Sequence, residues 1–233
     1  MGIIGTLHKG LIVSCQAKAG SPLRNAQVMA AMASAAEAGG AVGIRANGEE
    51  DVAAIRSSVR LPIIGINKVV HDGFEVFITP TMESARQVAE AGADIIALDA
   101  TLRPRPGGMT VDRMIKLCKE ELGLSIMADI STLEEGMAAA EAGVDIVATT
   151  LSGYTPYSRQ QEQPDFLLIK ELATHTQTPI IAEGRISSPE DARRALDEGA
   201  HAVVVGTAIT AIDWVTQRYV AALRGHSSGL SEN

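Results

Sequence analysis

The sequence predicts a single-domain (β/α)8 TIM barrel of the α/β class, and three observations support this prediction. The chain has 233 residues, of which 46% are hydrophobic, so it can bury one large core as a unit of this architecture. A pattern that ends a helix at a glycine occurs four times at similar intervals. Further apolar segments lie between these copies, so that eight predicted strands alternate with eight predicted helices.

The repeated pattern combines small residues, an acid and a glycine, and a short apolar run follows it. Its four copies are Ala36-Glu37-Ala38-Gly39, Ala89-Glu90-Ala91-Gly92, Ala140-Glu141-Ala142-Gly143 and Leu196-Asp197-Glu198-Gly199. In each copy we expect the glycine to end a helix in the left-handed conformation, which glycine adopts without steric cost. Successive copies begin 53, 51 and 56 residues apart, which leaves room for two strand-helix units in each interval.

The predicted strands are short and almost continuously apolar, which is typical of a parallel sheet covered by helices. They are 11–16, 41–44, 61–66, 94–98, 124–129, 145–148, 178–183 and 202–205, and the helical segments are 24–38, 49–59, 82–91, 111–122, 133–142, 166–175, 190–197 and 211–223. An open doubly wound sheet would have about six strands and a GxGxxG turn after the first one, which this sequence lacks. We therefore predict a barrel domain at 1–224 and a polar C-terminal tail at 225–233.

Composition and charge argue against several classes of function. The formal net charge is −8 and no basic block occurs, so a nucleic-acid partner is not expected. Cys15 and Cys118 have no CxxC or Cys/His spacing, which argues against structural zinc and a disulfide framework. Residues 1–10 do not resemble an export signal, and no segment reaches the roughly 20 apolar residues of a membrane span. We therefore expect a cytoplasmic protein without a membrane partner.

Polar residues at the ends of the predicted strands indicate where chemistry would take place. Active sites of (β/α)8 barrels form from the loops that follow the carboxyl ends of the strands. In chain order these positions hold Gln16, Arg45, Asn67-Lys68, Asp99, Asp129, Thr149-Thr150, Glu183-Gly184-Arg185 and Gly206-Thr207. Almost every strand therefore contributes a polar side chain to one end of the barrel.

Two of these loops predict a phosphate site. Gly184-Arg185 and Gly206-Thr207 follow strands seven and eight, the loops that commonly direct backbone N–H groups and a short helix N-terminus at a phosphate. Either glycine alone could simply end a strand. Both together, with arginine and threonine beside them, favour phosphate binding.

Lys68 is the strongest candidate for a catalytic base. An amine at the end of a barrel strand is poorly hydrated, and a neighbouring cation such as Arg45 lowers its pKa further. The alternative is an ordinary surface lysine in a loop. The position of Lys68 directly after an apolar strand favours the functional interpretation.

Two carboxylates are predicted to share the cavity with this lysine. Ser125–Asp129 and Pro179–Glu183 align with each other, which places Asp129 and Glu183 at the same height on alternate strands. The alternative is that a carboxylate anchors a loop or pairs with an arginine, a fair interpretation for Asp129 and Asp99. It is less apt for Glu183, which lies beside the predicted phosphate loop.

Two long loops are predicted to close over the site as lids, since long loops in compact domains are usually functional or disordered. Ser152–Asp165 contains Tyr154 and Tyr157, and Thr101–Gly108 contains two arginines among prolines. We expect Thr150, at the end of strand six, and Tyr154 to contact the substrate.

Nine motifs, most of them at strand ends, carry a family resemblance over nearly the whole chain, from about residue 11 to residue 223. They are Val13–Ala17, Val42–Ala46, Pro62–Lys68, Ile78–Thr81, Leu98–Thr101, Met127–Thr132, Thr149–Thr155, Ala182–Arg185 and Val204–Ala208. With these motifs the sequence resembles the bacterial N-acetylmannosamine-6-phosphate 2-epimerases of sialic acid degradation.

The resemblance implies reversible conversion of N-acetylmannosamine 6-phosphate into N-acetylglucosamine 6-phosphate without a metal or an organic cofactor. A lysine and a glutamate at these places move the proton in that family, which implies Lys68 and Glu183 here. Gln16, Arg45 and Asp129 correspond to sugar-binding positions of the family. The loops after strands seven and eight correspond to its phosphate site.

The resulting hypothesis is an isomerase that removes and returns the proton at C2, next to the C1 carbonyl of the opened sugar. Lys68 as a free amine would remove the proton, and Arg45 would stabilise the enediolate. Glu183 would either reprotonate the opposite face or set the protonation state of Lys68. Two alternatives stay open, namely an imine-forming lysine as in aldolases or thiazole synthases, and a sugar-phosphate sensor without turnover. We also expect a homodimer through the apolar segment 208–223.

Overall fold

The computed structural model describes residues 2–225 and has the predicted architecture, a closed barrel of eight parallel strands in sequence order. The strands are β1 Leu11–Cys15, β2 Gly43–Asn47, β3 Ile63–Ile66, β4 Ile95–Asp99, β5 Ser125–Asp129, β6 Ile146–Ala148, β7 Ile180–Glu183 and β8 Ala202–Val205. The prediction of a (β/α)8 barrel is thus confirmed. In the described chain, no helix is both long enough and apolar enough to traverse a bilayer. The predicted tail lies, except for Gly225, outside the described residues.

The eight predicted helices are all present, with ends within three residues of the expectation when the π-helical turn that continues the fifth predicted helix is included. The helices are α1 Ile3–Thr6, α2 Ala26–Ala38, α3 Glu49–Arg56, α4 Met82–Glu90, α5 Val111–Leu117, α6 Leu133–Glu141, α7 Phe166–His175, α8 Pro189–Asp197, α9 Thr207–Thr210 and α10 Ile212–Leu223. A π-helical turn, Cys118–Leu122, continues α5. The sequence did not predict α1 and α9, because each is a single turn with no room for a periodic pattern.

The repeated glycines end helices as expected in three of the four copies. Gly92, Gly143 and Gly199 have φ values of 103°, 85° and 109°. In the first copy the prediction was wrong by one residue, since Gly39 has a φ of −77° and Gly40 has the left-handed conformation with φ 92°. Gly40 directly follows Gly39, and the left-handed turn therefore occurs at Gly40, one residue later than predicted.

The barrel interior is filled by apolar side chains and closed at its amino-terminal end. Ile12, Ile64, Met127 and Ile181 point inward and are fully buried. Leu7, which follows α1, is also fully buried and packs into this interior cluster. Because successive side chains of a strand alternate between faces, the residue two positions beyond an inward apolar side chain points into the opposite, open end of the barrel.

The last helix differs from the others, since no residue of α10 is buried in the described chain. Its apolar side chains include Ile212, Tyr219 and Leu223, which are 57%, 71% and 87% exposed. Within residues 2–225, the indole N–H of Trp214 is buried without a hydrogen-bond partner. The helix therefore presents an apolar surface that the barrel of the same chain does not cover.

Candidate active site

The open end of the barrel brings together side chains from four strands or the residues that follow them. Arg45 comes from β2, Asp129 from the end of β5, Glu183 from the end of β7, and Thr150 follows β6 by two residues. Asp129 and Glu183, which were predicted to reach one cavity, both accept hydrogen bonds from Arg45. The sequence placed Arg45 after its strand, but β2 continues to Asn47 and Arg45 lies inside it.

Arg45 is the centre of the site and is 1% exposed. Its Nη2 lies 2.5 Å from Asp129 Oδ2 and its Nη1 lies 3.0 Å from Asp129 Oδ1, a bidentate pair. Nη1 also bonds to Glu183 Oε2. Burial disfavours the guanidinium charge, but the two carboxylates outweigh it and raise the pKa of Arg45. Arg45 therefore stays charged and has both terminal nitrogens on carboxylates, while its predicted contact with a sugar stays a prediction.

Thr150 joins the two acids. Its Oγ1 lies 2.6 Å from Asp129 Oδ1 and 3.1 Å from Glu183 Oε2. A hydroxyl has one proton to donate, so Thr150 can satisfy one of these carboxylates at a time. The contact makes Thr150 a fixed part of the charged cluster, at the position where the sequence predicted a substrate contact.

Glu183 ends β7 and is held there by a neighbouring threonine. Thr149 Oγ1 donates to the carbonyl of Glu183 at 3.0 Å and accepts from its amide at 3.1 Å. Burial raises the pKa of Glu183; the positive charge of Arg45 opposes this rise, and the negative charge of Asp129 adds to it. Glu183 is therefore a carboxyl group that holds a proton more readily than an exposed glutamate does.

Lys68 lies two residues beyond β3, at the mouth of the barrel. Its backbone N–H donates to Asn47 Oδ1 at 2.9 Å, which ties the loop to the end of β2. The protein around its amine shields it partly from water, which lowers the pKa of Lys68, and Arg45 lowers it further. Glu183 and Asp129 oppose this shift, so both carboxylates act on the Lys68 charge. The sequence predicted that desolvation and Arg45 would lower the pKa of Lys68, and the shift has that direction.

The predicted phosphate loops contain two residues with positive φ after β7 and a single helical turn after β8. Gly184 has a φ of 105° and Arg185 a φ of 56°. Gly206 precedes the single turn α9, whose first amides have no partner within the helix. A Cβ at Gly206 would lie 3.2 Å from Ser14 Cβ, so this loop approaches β1 closely.

The guanidinium of Arg185 contacts the loop between β6 and α7. Nη2 donates to the Ser152 carbonyl at 2.6 Å and Nε to the Gln163 carbonyl at 3.2 Å. The same group lies 5.0 Å from the ring centre of Tyr154. Arg185 thus connects both ends of this loop, and its predicted phosphate contact stays a prediction. Gln16, also at the mouth, donates from Nε2 to Ser14 Oγ at 2.8 Å.

The two predicted lid loops are anchored by polar contacts. Arg105 is 2% exposed and donates to the Asp99 carbonyl at 2.5 Å, and Arg103 pairs with the Asp99 carboxylate at 2.7 Å. Asp99 therefore anchors a loop, which was the alternative interpretation given to it. In the other loop, Tyr157 donates to Glu135 Oε1 at 2.7 Å. Closure of either loop over a substrate stays a prediction.

The sequence analysis did not select Glu135, whose buried carboxylate accepts hydrogen bonds from three loops. It accepts from Leu102 N, Ser131 N and Tyr157 Oη at 3.2, 2.8 and 2.7 Å. The signal was present, because Thr132-x-x-Glu135 is a capping box before α6. As for metals, no group of three or more potential ligands lies together among residues 2–225.

At the open end an arginine bridges two acids, Asp129 and Glu183, and Lys68 lies at the same mouth, so the class of this protein is an enzyme on a (β/α)8 barrel. A family model described as "Putative N-acetylmannosamine-6-phosphate epimerase" matches residues 29–225. The chain belongs to this family.

Individual relatives agree with this assignment along nearly their whole length. The chain is 53% identical to a protein of Caldanaerobacter subterraneus over 96% of this chain and 95% of that one, and 47% identical to a protein of Cutibacterium acnes over 95% and 97%. Both relatives are named N-acetylmannosamine-6-phosphate 2-epimerases. Among solved structures, the epimerase of that name from Clostridium perfringens superposes with a TM-score of 0.92 at 44% identity, covering 95% of this chain and 96% of that one.

Proposed function

We propose that this protein interconverts N-acetylmannosamine 6-phosphate and N-acetylglucosamine 6-phosphate by inverting C2. Membership of the epimerase family supports the substrate. The observation that carries the chemistry is that Lys68 and Glu183, whose pKa values are shifted in opposite directions, flank one Arg45–Asp129 pair. The lowered pKa leaves more of Lys68 as the free amine and the raised pKa leaves more of Glu183 as the protonated carboxyl, which are the forms that proton removal and return require.

On this proposal the two groups act from opposite sides of the substrate, which the strand order of the barrel supports. β3, which leads to Lys68, and β7, which ends in Glu183, are separated by three strands in either direction around the closed barrel. Inversion of C2 needs a proton to leave one face of the carbon and another to arrive at the opposite face. A base on β3 and an acid on β7 supply these two faces without rotation of the substrate.

In the reaction, the neutral amine of Lys68 takes the C2 proton of the open-chain sugar and becomes an ammonium. The electron pair of the C–H bond moves into the C1 carbonyl and gives an enolate, since C2 carries the acetamido nitrogen and not the second oxygen of an enediolate. The protonated carboxyl of Glu183 then delivers its proton to the other face of C2, the carbonyl re-forms and Glu183 becomes a carboxylate. The return reaction runs the same steps from the carboxylate of Glu183.

The charge of the cluster stays constant throughout this cycle. Before the reaction, Arg45 and Asp129 neutralise each other, and Lys68 and Glu183 are both neutral. Afterwards Lys68 and Glu183 carry one charge of each sign, so the sum is again zero. Arg45 acts by holding both carboxylates in place.

The remaining site residues bind the substrate on this proposal. Gln16, Thr150 and Tyr154 contact the sugar together with Asp129, since each lies at or after the carboxyl end of a strand, where barrel sites form. The backbone of Gly184, Arg185, Gly206 and Thr207 binds the phosphate, which is the role of strands seven and eight in many barrels. A phosphate contact holds substrate and transition state equally and keeps C2 in register with the two proton-transfer groups.

We infer further that the protein acts as a homodimer in the cytoplasm. The uncovered apolar side chains of α10 and the unpaired indole N–H of Trp214 support a second copy that covers this helix. The free thiols of Cys15 and Cys118 are consistent with a reducing compartment.

The proposed activity is tested by incubating the protein with N-acetylmannosamine 6-phosphate in deuterated water and following C2 by proton NMR. We expect the C2 proton signal to disappear as N-acetylglucosamine 6-phosphate forms with deuterium at C2. Lys116→Ala, which changes an exposed lysine, serves as the control and should behave like wild type. Borohydride should trap no adduct on Lys68; a trapped adduct with loss of deuterium uptake would favour imine chemistry instead.

A further inference from the structure

Thr79 has a backbone conformation that its side chain disfavours. Among residues 2–225, three non-glycine residues have a positive φ, and Thr79, with φ 46°, is the β-branched one. For a β-branched residue this conformation is a genuine outlier. Thr79 is also fully buried, and the Pro80 that follows restricts its backbone further. Such a conformation persists only where surrounding contacts impose it, and it occurs most often at functional sites.

The contacts that impose it are three hydrogen bonds. Thr79 Oγ1 donates to the Ala97 carbonyl in β4 at 2.6 Å and accepts from the Asn67 amide at 3.1 Å. The Thr79 amide donates to the Asn67 carbonyl at 2.9 Å. Thr79 thus bonds to both the amide and the carbonyl of Asn67, and its hydroxyl also bonds to the neighbouring strand β4. We call these three bonds the bracket around Asn67.

Asn67 is the residue immediately before Lys68, and the same segment continues past the lysine. Lys68 pairs with Ile78 in an isolated antiparallel bridge, and the Val69 amide donates to the Phe77 carbonyl at 2.9 Å. The Asp99 amide donates to the Ile78 carbonyl at 3.0 Å, which fixes this segment to the end of β4. The backbone on both sides of Lys68 is therefore held by residues 77–79, although Lys68 itself has already left β3.

We propose that Thr79 is a positioning residue that holds the Lys68 amine against C2 of the substrate. This inference rests on the proposed function, in which Lys68 removes the C2 proton. Lys68 lies outside any regular strand, so its height and direction above the barrel depend on the bracket around Asn67. Within the motif Ile78-Thr79-Pro80-Thr81, Thr79 orients the base and Thr81 caps α4.

The side-chain chemistry explains why threonine stands at this position. The bracket needs a hydroxyl, because the same atom must donate to Ala97 and accept from Asn67. Valine has the same shape without the hydroxyl, and glycine has the backbone freedom without it. Serine keeps the hydroxyl and removes one methyl group. These three substitutions therefore separate the hydrogen bonds from the shape and the backbone conformation.

The test measures kcat, KM and C2 deuterium uptake for wild type, Thr79→Val, Thr79→Gly and Thr79→Ser, with the thermal midpoint of each variant. We expect kcat to fall about a hundredfold in Thr79→Val and Thr79→Gly, as for an ångström-scale misplacement of a catalytic group. KM should change less than about threefold, since the phosphate and sugar contacts are intact. Thr79→Ser should keep kcat near wild type. Thr176→Val removes a hydroxyl that accepts the Thr178 amide at the opposite end of the barrel, and should leave kcat unchanged.

The acid limb of the kcat/KM profile gives a readout that a purely structural role would not move. If Lys68 loses its position and becomes better hydrated, its pKa rises and the acid limb shifts to higher pH in Thr79→Val. Full kcat in a folded Thr79→Val or Thr79→Gly overturns the inference, as does equal loss of kcat in Thr79→Ser. Glycine adopts a φ of 46° without steric cost, so Thr79→Gly can be assayed in place of Thr79→Val if the valine variant does not fold. Absence of C2 exchange in wild type would instead reject the proposed function and this inference with it.

Discussion

Thr149 holds Glu183 by both of its backbone polar groups, with the Oγ1 atom 3.0 Å from the carbonyl oxygen and 3.1 Å from the amide nitrogen. The Glu183 carboxyl group therefore projects from a backbone that is fixed at the end of β7. Thr79 makes the same arrangement with Asn67, next to Lys68. The proposed acid and the proposed base are thus each supported by a buried threonine from a neighbouring segment.

Replacing Thr149 with valine should lower both activity and stability. Two backbone groups of Glu183 lose their partner, which costs about 1–3 kcal/mol of unfolding free energy when such groups are buried. We expect kcat to fall about tenfold or more, because Glu183 is no longer fixed. Urea denaturation and steady-state kinetics measure the two effects. Thr174→Val, at an exposed helix position, should change neither, and a Thr149→Val enzyme with full kcat would contradict the role assigned to Thr149.

Removing the acid or the base alone should separate the two half-reactions. Glu183→Gln should slow epimerisation by a factor of about 10²–10⁴. Lys68 should still exchange the C2 proton of N-acetylmannosamine 6-phosphate with solvent in this variant. Lys68→Ala should lose that exchange and keep a slow exchange into N-acetylglucosamine 6-phosphate. Proton NMR in deuterated water, starting from each epimer separately, measures both rates. Exchange into both epimers by either variant would indicate a single base that serves both faces.

The pH profile for conversion of N-acetylmannosamine 6-phosphate should be bell-shaped. At low pH the rate falls because Lys68 is protonated and cannot remove the proton, and at high pH it falls because Glu183 has no proton to give. Burial and Arg45 lower the pKa of Lys68, and burial raises the pKa of Glu183, so both limbs move towards neutrality. In Glu183→Gln, the remaining exchange should rise with pH to a plateau; a persisting alkaline limb would assign that limb to another group.

Gly65 in β3 should not tolerate a side chain. A Cβ there would lie 2.7 Å from Ala93 Cβ and 3.2 Å from Val88 Cβ, so the packing of α4 against the barrel must shift. We expect Gly65→Ala to lose about 1–3 kcal/mol of unfolding free energy through overpacking. Gly39→Ala provides the matched control, because Gly39 has an ordinary φ and its nearest contacts are 3.4 Å away. Equal stability of both variants in chemical denaturation would show that α4 adjusts freely.

The uncovered face of α10 should carry the dimer interface. Light scattering of the wild-type protein is expected to give twice the mass of one chain. A double variant, Tyr219→Asp with Leu223→Asp, should shift this to the monomer because it places charges on the apolar face. Leu167→Asp, at a similarly exposed position on α7, should stay dimeric. A wild-type monomer would remove the dimer from the proposal.

The barrel itself could be predicted from the sequence because its signals are local and repeated. Continuous apolar strands and helix-ending glycines occur at regular intervals, and each such signal lies within a few residues of the element that it marks. Strand ends were less certain. β2 extends to Asn47, beyond the apolar run that predicted it, because Arg45 is paired inside the barrel.

The candidate residues could also be found from strand ends, but their partners could not. Arg45 contacts residues 84 and 138 positions away, and no local pattern specifies which acid an arginine meets at such separations. The left-handed conformation of Thr79 is contrary to local preference and is imposed by contacts with Asn67 and Ala97. The apolar pattern of segment 208–223 predicted a helix that a second copy of the chain covers, and the exposed apolar side chains of α10 agree with that expectation.

Closure of the amino-terminal end by α1 and Leu7 leaves the barrel with one entrance. The two epimers must therefore arrive and depart through the same opening, and a molecule of either one blocks the other. Each should act as a competitive inhibitor of the conversion of its counterpart. The net flux through the enzyme then depends on how quickly the next reaction removes the product.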